Sequence, residues 1–293
     1  MSDHRYFFCS GPPKSGTTLL QHCLHTHPHV VCPSEHRIEI LLSGFDQLFT
    51  EYNRALRTID QRTGGFGAEL VSSETAAEIL RLAVTRMMDQ FSHGAQVAGL
   101  NDNSLLPRLD FFSALFADAK WLLIFRHPIP RAISAWHHNH RLAAEESNPA
   151  HLLQIQQAGS LDAWALQLAR DWKRDVLRIG ELLADSARFL VIRYEDLVIE
   201  KASELQRIFN FLEVPTTAEE IQRICQLTDF RNMKARAKRP KFLRAGGVAA
   251  SSNEISPETV AKIQAESAEA LQLLGYSVSG DCELGALTLN QTN

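Results

Sequence analysis

The sequence predicts an α/β fold built on a parallel, doubly wound sheet, and three observations predict it. Short apolar runs alternate with longer segments of helical period. The run Trp121–Phe125 (WLLIF) is apolar throughout, as a strand buried on both faces requires. The first apolar run, Arg5–Cys9 (RYFFC), passes through SGPP directly into a helical segment. With 293 residues the chain can bury a sizeable core, and a hydrophobic content of 45% excludes global disorder.

Each element follows from its pattern. Arg5–Cys9 is aromatic and apolar and stops at a Gly/Pro turn, so it reads as a strand. Residues 17–26 carry apolar side chains at 19, 20, 23 and 24, which is helical spacing. Val30–Cys32 reads as a second short strand, residues 36–51 as a helix and 62–67 (RTGGFG) as a loop. Residues 73–91 form a helix with Ser73 as its N-cap, and 96–99 a strand. A helix over LPRLDFFSALF precedes the strand Trp121–Phe125. Leu161–Ala184 is a long amphipathic helix, Arg188–Tyr194 (RFLVIRY) a strand, and 200–212 and 217–227 are helices. Arg231–Arg244 carries seven basic residues and no acid, and its lack of apolar period reads as a loop. Residues 256–276 end the fold as a capped helix. Residues 1–280 are expected to form a single domain, followed by a flexible tail at 281–293.

Charge and cysteine usage narrow the function. Thirty Lys+Arg against 34 Asp+Glu give a formal net charge of −4, which argues against a general nucleic-acid or membrane-surface binder. The five cysteines are scattered and fit neither a disulfide framework nor a CxxC metal site. Reduced thiols and a cytoplasmic location are the simplest expectation. No apolar run has the form of a signal peptide at the start of the sequence or of a membrane span within it.

A strand, GPPKSGTT and a helix form the context for phosphate binding, because the N–H groups and dipole of a helix N-terminus hold an anion. The nucleoside-triphosphate motif is GxxxxGK[ST]. Aligned on Gly11 and Gly16, this chain has Thr17 in place of the lysine and Thr18 at the hydroxyl position; its lysine, Lys14, stands three places earlier. The pairing of lysine and Mg²⁺-binding hydroxyl needed for ATP or GTP chemistry is broken.

PKSGTTLL (residues 13–20) resembles the 5′-phosphosulfate loop of sulfotransferases that use 3′-phosphoadenylyl sulfate (PAPS). The resemblance implies that Lys14 contacts the oxygen bridging phosphate and sulfuryl group and stabilises charge on the leaving phosphate. Pro13, Ser15, Gly16, Thr17 and Thr18 would complete the loop that cradles the 5′-phosphate. After the WLLIF strand, Arg126 is followed eight positions later by Ser134, the family's pair for the 3′-phosphate that separates PAPS from ATP. Arg131 is either an assistant or a solvated helix residue. Tyr194 in RYEDL matches the family's strand-end tyrosine near the adenine. The basic segment stands where the family has a lid over the 3′-phosphate, which makes Arg244, and behind it Lys241, the matching ligands, although RKGxxGxW is missing. The resemblance covers about residues 5–275. It implies a P-loop-like, three-layer α/β sandwich with a mostly parallel sheet, nearer to the Golgi-type, tyrosylprotein and bacterial members than to the cytosolic branch.

Transfer to a hydroxyl needs a base for its proton. The cytosolic branch's Lys-Thr-His segment is absent, and Gly99–Ser104 (GLNDNS) takes its place. HPHVVCPSEHRI instead resembles the Golgi-type stretch that carries a catalytic glutamate, and there Glu35 is the matching residue. His36 is the second candidate base, and Asp102 is either a third base, a residue that orients one, or a turn residue. Glu35 read structurally would instead cap the following helix together with Ser34. The family's second lysine at the sulfuryl group is replaced here by Asn101. His137 and His140 share a helix face, but with no carboxylate or cysteine partner they read as surface histidines, and no metal is expected.

The expected activity is transfer of the sulfuryl group from PAPS to a hydroxyl acceptor, giving PAP and a sulfate ester. The acceptor is expected to be a small or lipid-like alcohol, a carbohydrate or a phenol, with no nucleic-acid partner and no stable membrane insertion; a homodimer stays open. The alternatives are a nucleotide kinase-like P-loop enzyme and a non-catalytic PAP- or nucleotide-binding protein.

Overall fold

The computed structural model describes residues 5–33, 36–65, 67, 69–92, 94–145, 149–236 and 254–277. Strands β1 (Arg5–Ser10), β2 (Val30–Val31), β3 (Val97–Asn101), β4 (Lys120–Phe125) and β5 (Phe189–Arg193) form one sheet in the order β2-β3-β1-β4-β5. All described pairings are parallel. The described helices are α1 (Thr17–His25), α2 (Ile38–Thr63), α3 (Ser73–Ser92), α4 (Leu109–Leu115), α5 (Pro128–Glu145) and α6 (Pro149–Ala158) in the first half. They continue with α7 (Leu161–Ile179), α8 (Tyr194–Ile199), α9 (Lys201–Phe211), α10 (Ala218–Leu227), α11 (Phe230–Arg236) and α12 (Pro257–Leu273).

Strand alternation sorts side chains into two cores. Phe8, Leu100, Trp121, Leu123, Phe125 and Phe189 face a layer drawn from α2, α3, α4, α7 and α12. Phe7, Cys9, Leu122, Ile124 and Ile192 face the opposite layer, drawn from α1, α8, α9 and α10. The result is a three-layer sandwich whose middle layer is apolar on both sides, which is why WLLIF is uninterrupted. Across the strands, Phe8 pairs with Trp121 and Trp121 with Phe189. Their rings follow that register: Phe8 stacks on Trp121 at 4.7 Å between centroids. A smaller cluster, with Ile129, Ile133, Ala165, Ala169 and Ile263, joins α5, α7 and α12.

The structure adjusts several boundaries. The helix expected over 36–51 continues to Thr63, so the RTGGFG loop begins only at Gly64, which closes α2 in the left-handed region (φ 93°). Ser72, not Ser73, caps α3, its Oγ accepting from Thr75 N–H at 3.0 Å. The segment expected as one helix over 161–184 ends at Ile179, and a 3₁₀ turn covers Leu182–Ala184. Tyr194 opens α8 rather than ending β5. The start of the basic segment, expected as loop, is helical through Arg236. Residues 237–253, with Lys241 and Arg244, lie outside the described residues, as does the tail at 281–293. Among the described residues no helix is long and apolar enough to cross a membrane.

Candidate active site

The order of the sheet reverses at β1, which lies between β3 and β4. A crevice outside the carboxyl ends of the strands at such a point is where open α/β sheets bind ligands. Three of the segments predicted from the sequence lie at these ends, because β1, β4 and β5 end at Ser10, Phe125 and Arg193, directly before the Lys14 loop, Arg126 and Tyr194.

The phosphate loop spans Gly11–Gly16. Ser15 N–H donates to Pro12 O at 3.1 Å, closing a tight turn. Lys14 takes a left-handed conformation (φ 70°) that L side chains rarely adopt. Gly16 is left-handed too (φ 97°) and caps α1 with no side-chain hydrogen bond. A Cβ at Gly16 would come within 2.3 Å of the Tyr194 ring, so only glycine fits. Two features suit the loop to an anion. The first N–H groups of α1 have no side-chain acceptor. The Ser15 hydroxyl is buried and finds no partner among the described residues. Thr17 is buried in the first turn of α1, and Thr18 is half-buried beside it.

Arg126, directly after β4, is buried, and its guanidinium lies 4.5 Å from the centroid of the Tyr194 ring. Tyr194 therefore joins the two halves of the site, with one side of its ring against Gly16 and the Arg126 guanidinium over it. Burial pushes the Tyr194 phenol up, and Arg126 partly offsets this. Ser134 follows two turns into α5 and is half-buried. Arg131 is buried rather than solvated: its Nε donates to Pro13 O at 3.1 Å and its Nη1 to Leu168 O at 3.3 Å, tying the phosphate loop to α7.

Behind Arg126 and Tyr194 lies a network the sequence did not reveal. Glu195 is buried; its Oε1 accepts from His127 N–H at 3.1 Å, and its Oε2 from Tyr276 O–H at 2.7 Å. Burial raises the Glu195 carboxyl against these hydrogen bonds. Burial, reinforced by Arg126, pushes the His127 imidazole down to about 4. The only sequence signal for this network was a pair of acids, Glu195 and Asp196, in the first turn of a helix.

The candidate bases separate. Asp102 is buried, its Oδ1 accepting from Ser104 N–H at 2.9 Å and its Oδ2 from Ile38 N–H at 2.7 Å. Both oxygens are held by backbone amides, which is the geometry of a cap for α2 and for the 3₁₀ turn after β3. The ring of His36 packs on Phe91 at 5.3 Å between centroids. Ser34 and Glu35 lie outside the described residues, but their flanks are fixed. Gln21 Nε2 donates to Cys32 O at 2.6 Å on one side, and Asp102 holds Ile38 on the other. Asn101 ends β3 in register with Cys9, and its Oδ1 is buried without a partner among the described residues. His137 Nε2 pairs with Glu254 Oε2 at 2.5 Å. Among the described residues no group of three or more His, Cys, Asp or Glu could hold a metal ion.

Comparison with known proteins identifies the family and the fold. Residues 7–218 match the model of the sulfotransferase family. Nodulation protein NoeE of Sinorhizobium fredii is 28% identical over 218 residues, covering 69% of this chain and 48% of that protein. Protein-tyrosine sulfotransferase 1 of Danio rerio is 24% identical over 220 residues, covering 73% of this chain and 54% of that one. The chain thus spans about half the length of these curated relatives. The crystal structure of mouse sulfotransferase SULT7A1 complexed with PAP superposes with a TM-score of 0.59 at 17% identity, over 92% of this chain and 85% of that one. With the match reaching from the phosphate loop past Tyr194, this chain belongs to the sulfotransferase family.

Proposed function

We propose that this chain is an enzyme that transfers the sulfuryl group of PAPS to a hydroxyl acceptor, releasing PAP and a sulfate ester. The observation that carries the reading is Tyr194, packed between Gly16 of the phosphate loop and the Arg126 guanidinium. One nucleotide with phosphates at both its 5′ and 3′ positions needs two such half-sites at a fixed separation.

In this reading the amides of Ser15, Gly16, Thr17 and Thr18, with Pro13 shaping the turn, hold the 5′-phosphate at the N-terminus of α1. Arg126 and Ser134 hold the 3′-phosphate, joined by Arg244 from the segment beyond α11. Tyr194 lies near the adenine. Glu35 accepts the proton of the acceptor hydroxyl as the new S–O bond forms, with His36 as the second candidate. The S–O bond to the 5′-phosphate breaks with its electron pair going to PAP, where Lys14 neutralises the growing charge. Both flanks of Glu35 are pinned near the ends of β2 and β3, which supports a base on this side of the loop. The acceptor class proposed is a small or lipid-like alcohol, a carbohydrate or a phenol. We take residues 1–280 as one catalytic domain; the reach of Tyr276 back to Glu195 supports this. A cytoplasmic enzyme is the matching location, supported by the buried thiols of Cys9, Cys23 and Cys32.

Calorimetry with PAP and ADP tests the reading. ADP lacks the 3′-phosphate and so loses the contacts with Arg126 and Ser134. At about 1.5–3 kcal/mol for each charge-assisted contact, PAP should bind roughly two to four decades more tightly. Equal affinity for the two nucleotides, or turnover of ATP with Mg²⁺, would favour a kinase-like enzyme instead.

A further inference from the structure

We propose that Arg131 of α5 is a positioning residue for Lys14: by holding the Pro13 carbonyl it fixes the left-handed backbone at Lys14, and so the direction in which the lysine leaves the loop. The proposal rests on the sulfotransferase reading above. Lys14 has φ 70°, a region that a residue with a side chain keeps only where its surroundings hold it there. The peptide planes on both sides of its Cα are tied by a hydrogen bond. On the Pro13 side, Arg131 Nε donates to Pro13 O at 3.1 Å. On the Ser15 side, Ser15 N–H donates to Pro12 O at 3.1 Å. Peptide units are planar, so two tied planes set φ and ψ of Lys14 and with them its Cα–Cβ bond.

The two bonds differ in what they refer the lysine to. The bond from Ser15 lies inside the loop and moves with it. The bond from Arg131 comes from the helical scaffold. Arg131 is buried, and its Nη1 donates to Leu168 O of α7 at 3.3 Å. Ile129 and Ile133 of α5 and Ala165 and Ala169 of α7 belong to one buried cluster, so the brace stands on packed helices. Burial pushes the Arg131 guanidinium down to about 10, against the carboxylates of Asp175 and Asp171 on α7, so it remains a charged donor near pH 7. Ser134 lies three residues further along α5, on the same face. One helix therefore holds the loop lysine at a set distance from the residue read as a 3′-phosphate ligand. Placing a charge before reaction is what allows it to stabilise a leaving group without reorganisation.

PAPS and PAP differ by the sulfuryl group, so the ratio of their affinities reports on Lys14 and needs no identified acceptor. Calorimetry on the full chain should show Lys14→Ala and Arg131→Met each weakening PAPS relative to PAP by about fivefold or more, with PAP itself changed by less than about twofold. The double variant should do no worse than Lys14→Ala alone, because the two residues act through one contact. Arg131→Gln, whose amide nitrogen reaches the position of Nε, should recover most of the ratio without the charge or the Leu168 contact. A ratio unmoved by Arg131→Met, equal losses for both nucleotides, losses that add in the double variant, or no recovery with glutamine would overturn the proposal. NMR of the unaltered chain supplies a test that does not depend on the variants folding. Lys14 should show the strong intraresidue contact between amide and α protons that marks a positive φ; a weak one would equally overturn the proposal. If Lys14→Ala itself leaves the ratio unmoved, or the unaltered chain fails to bind PAP, the sulfotransferase reading of the loop fails, and this proposal with it.

Discussion

Helices α1 and α2 follow one another in the chain and make opposite use of it. α1 has nine residues and buries five of them, Thr17, Leu20, Gln21, Cys23 and Leu24. α2 has 26 residues and buries only Ile38 and Leu42. Along α2, Ile40, Leu48, Tyr52 and Ile59 are all more than half exposed. The difference separates two kinds of constraint. On the α1 side, the phosphate loop is locked from several directions: Tyr194 closes on Gly16, Arg131 holds Pro13, and Ile124 leaves no room for a Cβ at Gly11. On the α2 side the first turn is fixed by Asp102, and most of the remaining helix is free to change its surface. Core packing thus specifies the phosphate-loop side of the crevice and leaves the α2 side open to variation, as a fold that can host different functions allows.

The sharpest test of this contrast separates chemistry from binding. Glu35→Gln preserves shape and removes basicity, so turnover should fall about 10²–10⁴-fold while PAP affinity survives. Lys14→Ala should cut turnover by about 10²–10³-fold, again with a much smaller change in PAP affinity. Steady-state kinetics beside calorimetry reads both. If His36→Ala is inactive while Glu35→Gln is active, the base lies one residue on.

The rigid half should also dominate the pH dependence of stability. In the native state the His127 imidazole is pushed from 6.5 down to about 4, so the unfolded chain takes up a proton that the folded chain refuses. Stability should therefore be fully present above about pH 6.5 and fall as pH drops toward 4, by up to about 3 kcal/mol from this group. Thermal melts across that range should show the loss, and His127→Asn should flatten it. An unchanged slope would mean that the other depressed histidines, His22, His27 and His138, carry the effect.

The smallest effect belongs to the open half. Ile59 is 56% exposed, so Ile59→Ser should change stability by no more than about 0.5 kcal/mol and leave PAP affinity unaltered. A denaturant titration showing a loss several times larger would mean that the outer face of α2 is covered in solution.

Legibility in the sequence follows the same division. The strand at 121–125 could be read because both of its faces are core, and the phosphate loop because a lysine, a glycine and two threonines have few other uses after a strand. Arg126 and Ser134 could be paired because one ends a strand and the other lies on the next helix. Asp102 could not be assigned, since a carboxylate that caps two backbone segments and one that takes a proton look alike until their partners are known. Arg131 could not be decided between an assistant at the site and a solvated helix arginine, because nothing local reveals the carbonyls of Pro13 and Leu168 that it reaches. α6 carried only a weak apolar pattern, with Ile155 as its buried residue, and no element was expected there. Tyr194 was placed in a strand because β5 enters α8 with no turn residue between them.

The hydroxyl of Tyr276 gives the end of the described chain a bearing on protein engineering. The family match closes at residue 218, yet the carboxylate behind Arg126 and Tyr194 is completed by a tyrosine 58 positions later. A fragment cut to the matched segment would retain the phosphate loop, Arg126, Ser134 and Tyr194, and all of the sheet except the first two residues of β1. It would also strip α12 from α7 and leave the buried Glu195 facing a void on one side. The shortest piece that carries the recognisable motifs is thus shorter than the shortest piece able to hold them in place, and grafts or trimmed versions of this scaffold have to keep the strand-end glutamate and its distant tyrosine together.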